Sequence, residues 1–255
     1  MRILVLLMLL SVCVHGDIVY EMTTTTEGIT GMEATETSTV FYIKGECRRK
    51  ETTTKNPMTG EVTIITITRL DKHVIWTLDI EHRQYTETKL IETSPSDERI
   101  ENTEKPRLPE IIIETTEKEK EILDRMCKEV TISMKLLTEE DDSCMVTQTM
   151  WVSQDIEGYD EITEFNRKFF SLDRGQTGLL KAEMDGESFK KFQENIEEIE
   201  GFPLELTLDI HMEDHLTPLS IKSHSIVTKI ETLPIHEKVF EIPEGFVLSE
   251  MHHME

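Results

Sequence analysis

Only four of the 255 residues are cysteine, and one of these, Cys13, lies in the leader. The remaining three, Cys47, Cys127 and Cys144, exclude a disulfide-dense scaffold, and their spacing matches no zinc or thioredoxin-like pattern. Basic residues are also scarce: 27 Lys and Arg stand against 51 Asp and Glu, for a net charge of -24. So acidic a surface repels DNA, RNA and anionic lipid headgroups, and its simplest use is solubility. No Gly-x-Ser-x-Gly elbow and no phosphate-cradling glycine loop occurs. After residue 16 no apolar run is long enough to cross a bilayer, so no transmembrane segment is expected.

The leader carries the clearest signal that is present. Arg2 is followed by an apolar run from Ile3 to Val12, with Val14 and Gly16 at the positions where a signal peptidase accepts modest side chains. Residues 1–16 therefore read as a signal peptide, and the mature chain is expected to begin near Asp17 in the periplasm or outside the cell. Leu10-Ser11-Val12-Cys13 offers an alternative, a lipid anchor on Cys13, but Val12 is bulkier than the small residue such a box needs. An oxidising destination permits one disulfide; Cys47 can pair with either partner, while Cys127 and Cys144 fall out of register in the hairpin that holds both.

Thr, Val and Ile at alternate positions make the rest of the chain mainly β. The expected strands are Asp17–Thr26, Ser38–Thr54 as one long strand, Val62–Leu70 after the turn Asn56-Pro57-Met58-Thr59-Gly60, Val74–Ile80 and Gln84–Ile91. Ser94–Pro109 reads as a loop. Glu110–Thr116, Lys128–Leu137 and Met145–Val152 resume strand character, while Lys118–Met126 fits helix by composition and strand by context.

The period then changes. Tyr159, Ile162, Phe165, Phe169 and Leu172 predict one amphipathic helix, and Phe189, Phe192, Ile196 and Ile199 a second. Leu204, Leu206, Leu208, Ile210 and Met212 alternate as a half-buried strand, Leu219–Thr232 forms another, and Phe240–Phe246 closes the fold. The expected fold class is α+β, mainly β: a curved antiparallel sheet packed on two amphipathic helices, in a single domain over 17–248. Residues 249–255 form a frayed tail.

A family resemblance rests on an ordered series of short motifs. These are Asp17-Ile18-Val19-Tyr20-Glu21-Met22, Val40-Phe41-Tyr42-Ile43-Lys44-Gly45, Leu70-Asp71-Lys72 and Trp76-Thr77-Leu78-Asp79. Trp151-Val152, Gly201-Phe202-Pro203-Leu204 and Phe240-Glu241-Ile242-Pro243-Glu244-Gly245-Phe246 complete it. The series resembles an exported bacterial family of unknown function with a LolA-like fold, that of the outer-membrane lipoprotein-carrier superfamily. The resemblance implies an incomplete β-barrel around helices, with an apolar concavity of the kind that holds acyl chains in the carriers.

No catalytic residue, metal ligand or cofactor is assigned. His211-Met212-Glu213-Asp214-His215 lacks the Glu directly after the first His, and in a strand residues four apart stand about 13 Å from each other. Glu139-Glu140-Asp141-Asp142 lacks the spaced oxygens and glycine of a calcium loop. The carboxylates from Asp155 to Glu164 suit the start of a helix. No acidic pair stands out as a glycosidase couple.

The expected function is non-enzymatic binding of an apolar small molecule or lipid between sheet and helices. Trp76, Leu78, Phe165, Phe169, Phe189, Phe192, Leu206 and Leu208 are the cavity candidates. The alternative is an envelope structural or protein-interaction module with a filled core and an envelope protein as partner.

Overall fold

β-Branched residues at alternate positions stiffen the backbone into long strands. The computed structural model describes residues 16–27, 34–56, 60–90, 110–137, 143–172, 199–213 and 219–249, and within them the chain forms a sheet of twelve strands. The first meander is β1 (Ile18–Thr26), β2 (Thr35–Lys44), β3 (Cys47–Asn56), β4 (Gly60–Arg69), β5 (Val74–Asp79) and β6 (Gln84–Lys89). The second is β7 (Glu110–Ile122), β8 (Arg125–Leu137), β9 (Ser143–Ser153), β10 (Phe202–Glu213) and β11 (Leu219–Thr232). A short β12 (Val247–Leu248) runs parallel to β6, and every other pairing is antiparallel.

The spatial order is β12-β6-β5-β4-β3-β2-β1-β11-β10-β9-β8-β7. The first and last long strands therefore meet in the middle, Ile18 opposite Thr232 and Thr26 opposite Ser223. That pairing joins the two meanders in one open sheet.

One local expectation is corrected and one open stretch is decided. The single strand expected over Ser38–Thr54 is a hairpin: Lys44 pairs with Cys47, and Gly45, at φ 53°, turns the chain between them. The undecided stretch Lys118–Met126 is also a hairpin. Leu123 and Asp124 hold positive φ in its two-residue turn, and Lys118 and Lys120 form ion pairs with Glu129 and Glu205. Its alternating charges fit a strand because their partners lie across the sheet and not one helical turn away.

One α-helix stands among the described residues, α1 (Tyr159–Leu172), where the Tyr159–Leu172 stripe places it. Asp160 and Glu161 in its first turn face the positive end of the helix dipole. The second expected helix, through Phe189, Phe192 and Ile196, lies outside the described residues, as do the leader 1–15, the Ser94–Pro109 loop, the Glu139–Asp142 tip and the tail beyond Ser249.

The apolar side chains sort by strand parity onto the two sides of the sheet. On the helix side Ile18, Ile43, Leu70, Phe202, Leu204 and Val227 pack with Ile162 and Phe165 of α1. Leu90, just past β6, and Cys127 of β8 join this cluster from opposite reaches of the strand order, so the sheet curls around the helix. On the outer side Ile65, Ile67, Val74, Trp76 and Leu78 are covered by Ile235 and Phe240, from the segment that follows β11.

No disulfide joins the three described cysteines. Cys47 sits in the outer core, Cys127 is fully buried on the helix side, and Cys144 lies on β9 opposite Leu136 and Met212. Burial pushes the thiol pKa of both Cys47 and Cys127 up.

Candidate functional site: the helix-side face of the sheet

Antiparallel register fixes which side chains share the concave, helix-bearing side. Nearest α1 runs a row from β1 to β5: Ile18, Ile43, Arg48, Thr68 and Ile75. The next row is Tyr20, Phe41, Lys50, Thr66 and Thr77. Farther from the helix the same strands turn to hydroxyls, with Thr24 2.8 Å from Ser225 and Thr37 3.3 Å from Thr54 between side-chain oxygens.

Across the β1–β11 seam the chemistry changes. Val130, Ile132 and Met150 form a buried aliphatic cluster, with Ile111, Ile113, Leu206 and Ile199 packed against it. Leu208, Ile210, Val146 and Ile221 continue this surface in register and are only half-buried. The face is thus largely aliphatic on β7–β10, where Gln148 interrupts it between Ile132 and Leu208. It is rich in hydroxyls on β1–β4 and on β11, where Ser223 and Ser225 stand opposite Leu208 and Leu206.

An aromatic and cationic cluster lies beside the helix. The Arg48 guanidinium carbon stands 4.8 Å from the Phe165 ring centroid and 4.9 Å from that of Phe169. Tyr20 stacks on Phe41 at 4.4 Å and meets Phe202 edge-on at 5.2 Å. Burial pushes the Tyr20 hydroxyl pKa up, against the pull of the Arg48 charge. Lys50 is accessible to solvent, with its ammonium 5.9 Å from the Phe41 ring. Loss of water around that ammonium within the concavity, and then the Arg48 charge, hold its pKa below the usual lysine value.

The expected cavity residues do not converge on one site. Phe165 is fully buried in the helix-side core and Phe169 is half-buried at its margin. Leu206 and Leu208 are half-buried on the aliphatic half. Trp76 and Leu78 stand on the opposite side of the sheet, under Ile235 and Phe240, where the Trp76 indole N–H donates to Glu87 Oε2 at 3.0 Å. Their expected place beside the helix is therefore corrected: alternation groups Trp76 with Leu78 without saying which side the helix occupies. Phe189 and Phe192 lie outside the described residues. The residues the sequence reading missed are Arg48 and Lys50. Their signal was present in the run Arg48-Arg49-Lys50, where a strand sends the first and third to one side and Arg49 to the other.

Elsewhere the polar groups serve the fold. Arg49, Arg69 and Lys44 donate to the backbone oxygens of Val239, Phe240 and Ile235, fastening the C-terminal segment to the outer side. The Gly45 N–H donates to Glu161 Oε1 at 2.6 Å, and Glu164 pairs with Arg167 and Lys168, so part of the acidic run at the start of α1 is used locally. A shallow groove of 380 Å³ lies at the ends of β4, β5 and β6, where Val62, Ile64, Asp79 and Glu81 contribute to its walls. His211 is exposed on β10, and His215 lies outside the described residues. Among the described residues no group of three or more His, Cys, Asp or Glu side chains is placed to hold a metal ion. No described helix is long and apolar enough to cross a membrane.

The model of one protein family, described as a domain of unknown function (DUF4412), matches residues 19–246. No curated protein matches the chain. Among solved structures it is similar to a domain from Vibrio parahaemolyticus described as an outer membrane lipoprotein-sorting protein domain. The identity is 8%, over 89% of this chain and 90% of that one, with a TM-score of 0.32. It is also similar to MucB in complex with MucA(peri), at 6% identity over 86% of this chain and 94% of that one, with a TM-score of 0.12.

Proposed function

The chain belongs to the DUF4412 family, a domain of unknown function, and from that premise we propose that it is a non-enzymatic exported binding protein. Its ligand is apolar, acyl or lipid-like, and lies between α1 and the aliphatic half of the concave face. One observation carries this reading: Val146, Leu206, Leu208, Ile210 and Ile221 extend the buried floor of Val130, Ile132 and Met150, yet are only half-buried themselves. Covering such positions with a hydrocarbon tail stabilises the bound state by about 25 cal/mol for each Å² of apolar surface removed from water. The Arg2–Gly16 leader pattern supports export, with delivery of the mature chain to the periplasm or beyond.

The test is the intact mass of the natively purified mature chain before and after organic extraction. A discrete mass loss that matches an acyl compound is expected, and Leu208→Glu should abolish it while the protein still folds. A mass equal to the bare polypeptide, unchanged after incubation with envelope lipids, sinks the reading.

A second reading, an envelope interaction module, draws on β7. Among the described residues this long strand ends the sheet, and it leaves Ile112 46% exposed. Bare edges of this kind pair readily with other strands. That reading requires in-cell crosslinks from β7 to a protein partner, with no lipid recovered.

A further inference from the structure

One residue of the aliphatic floor is out of place by polarity. Register aligns Ile132 of β8, Gln148 of β9 and Leu208 of β10 in a single row across the sheet. Along β9 the neighbours of Gln148 on the same side are Val146 and Met150. The diagonal positions are Val130, Met134, Leu206 and Ile210. Gln148 therefore stands at the centre of a block of nine side chains whose other eight are apolar.

An amide carries two N–H donors and a carbonyl oxygen, and all of them lose water when apolar groups surround them. Among the described residues Gln148 makes one hydrogen bond, from Nε2 to the Met150 sulfur at 3.3 Å. A thioether is a weak acceptor, so the second donor and the oxygen remain for another partner. The hydroxyls at the β1–β11 seam differ, because Thr24 and Ser225 lie 2.8 Å apart and satisfy each other. Leucine at 148 would continue the surface of Ile132 and Leu208 without desolvating an amide, so the fold gives no reason for glutamine. Gln148 is half-buried, and its register turns the side chain to the concave side, where the proposed ligand lies.

We infer that Gln148 selects the ligand, and that this ligand carries a carbonyl group between two stretches of hydrocarbon, as an ester or amide of a long-chain acid does. The free N–H of Gln148 Nε2 donates to the carbonyl oxygen, while the flanking hydrocarbon lies on Val146, Met150, Ile132 and Leu208. The inference rests on the proposed binding function and adds an internal polar group to its ligand. A polar group at the end of a chain does not fit, because apolar side chains surround Gln148 on every side. A bare hydrocarbon does not fit either, since it would cover the amide and leave it unpaired.

The experiment measures displacement of a pyrene-labelled alkane from the mature chain by octyl octanoate, N-octyl octanamide and dioctyl ether. The ether matches the ester except that a methylene replaces the carbonyl. Wild type is compared with Gln148→Leu, and with Gln148→Glu, which keeps the shape but has no N–H at neutral pH. The ratio of ester to ether affinity should be about fivefold higher in wild type than in Gln148→Leu, the factor expected for one hydrogen bond. Gln148→Glu should lose that advantage as well, and Gln148→Leu should bind the ether at least as tightly as wild type. Whichever of the ester and the amide gains more from Gln148 names the linkage. An equal ratio in wild type and Gln148→Leu overturns the inference, and so does a ratio retained in Gln148→Glu. If no compound displaces the probe from wild type, the proposed binding function itself falls.

Discussion

The Asp17 carboxylate accepts a 2.6 Å hydrogen bond from the backbone N–H of Ile235, a residue 218 positions away. Lys44 completes the contact: its ammonium lies 3.3 Å from Asp17 and 3.1 Å from Glu237, and donates to the Ile235 oxygen at 2.7 Å. Three separate stretches of chain therefore depend on one carboxylate. Asp17→Ala leaves the Ile235 N–H without an acceptor and Lys44 with one fewer partner. It should cost about 1–3 kcal/mol of stability, read as a lower urea midpoint. Asp17→Asn, which keeps an acceptor oxygen, should recover part of that loss; equal losses in the two variants would assign the effect to charge alone.

Asp71 sets the second expectation. The Arg69 guanidinium reaches both carboxylate oxygens, at 2.8 and 2.6 Å, and this pairing holds the Asp71 pKa below the usual aspartate value of 3.8. A carboxylate depressed in the folded state contributes stability that is fully present above its unfolded pKa and is lost as pH falls through the folded one. The pair should therefore be indifferent to pH from 7 down to about 4 and should fail below that. Thermal melts across that range should show Asp71→Asn less stable than wild type at neutral pH, with the gap closing in acid.

Two glycines with positive φ should respond very differently to alanine. At Gly201, φ 117°, a β-carbon would stand 2.9 Å from the Ser153 carbonyl oxygen, whereas at Gly45, φ 53°, nothing lies within 4 Å. Gly45→Ala should cost about 1–2 kcal/mol, the ordinary strain of left-handed backbone. Gly201→Ala should cost more, because the Ser153 backbone must also shift at the junction between β9 and β10. Equal unfolding midpoints for the two variants would contradict this.

The strands were legible where alternation ran unbroken, as in Leu204, Leu206, Leu208, Ile210 and Met212 of β10. β11 falls on Leu219–Thr232 as expected, although its apolar residues change parity between Val227 and Ile230, where the register with β1 shifts. The hairpin at Gly45 was missed because a two-residue turn lets Lys44 and Cys47 face each other without disturbing the hydrophobic pattern on either flank. Lys118–Met126 stayed undecided because salt-bridge partners across a sheet are invisible in a linear reading, and Glu and Lys alone suit helix as well. Trp76 and Leu78 show a different limit. Their parity was right, but parity is relative, and only the packing of α1 on β2 decides which side is concave. Arg48 and Lys50 were passed over because a basic run reads as a solvated surface until the strand separates its members.

The central pairing of β1 with β11 sets an order of events for the growing chain. Residues 18–26 leave the ribosome first, yet their partner spans residues 223–232 and leaves nearly last. Until then each meander can zip its own hairpins, but both keep a raw edge at the seam, and the loop-closure cost of joining them falls on the final step. Closing the seam is thus the step with the greatest sequence separation, 18–26 against 223–232. A chain that stays open until its last fifth has been made can still be threaded through a narrow channel, and one truncated before Leu219 is left with its sheet in two halves.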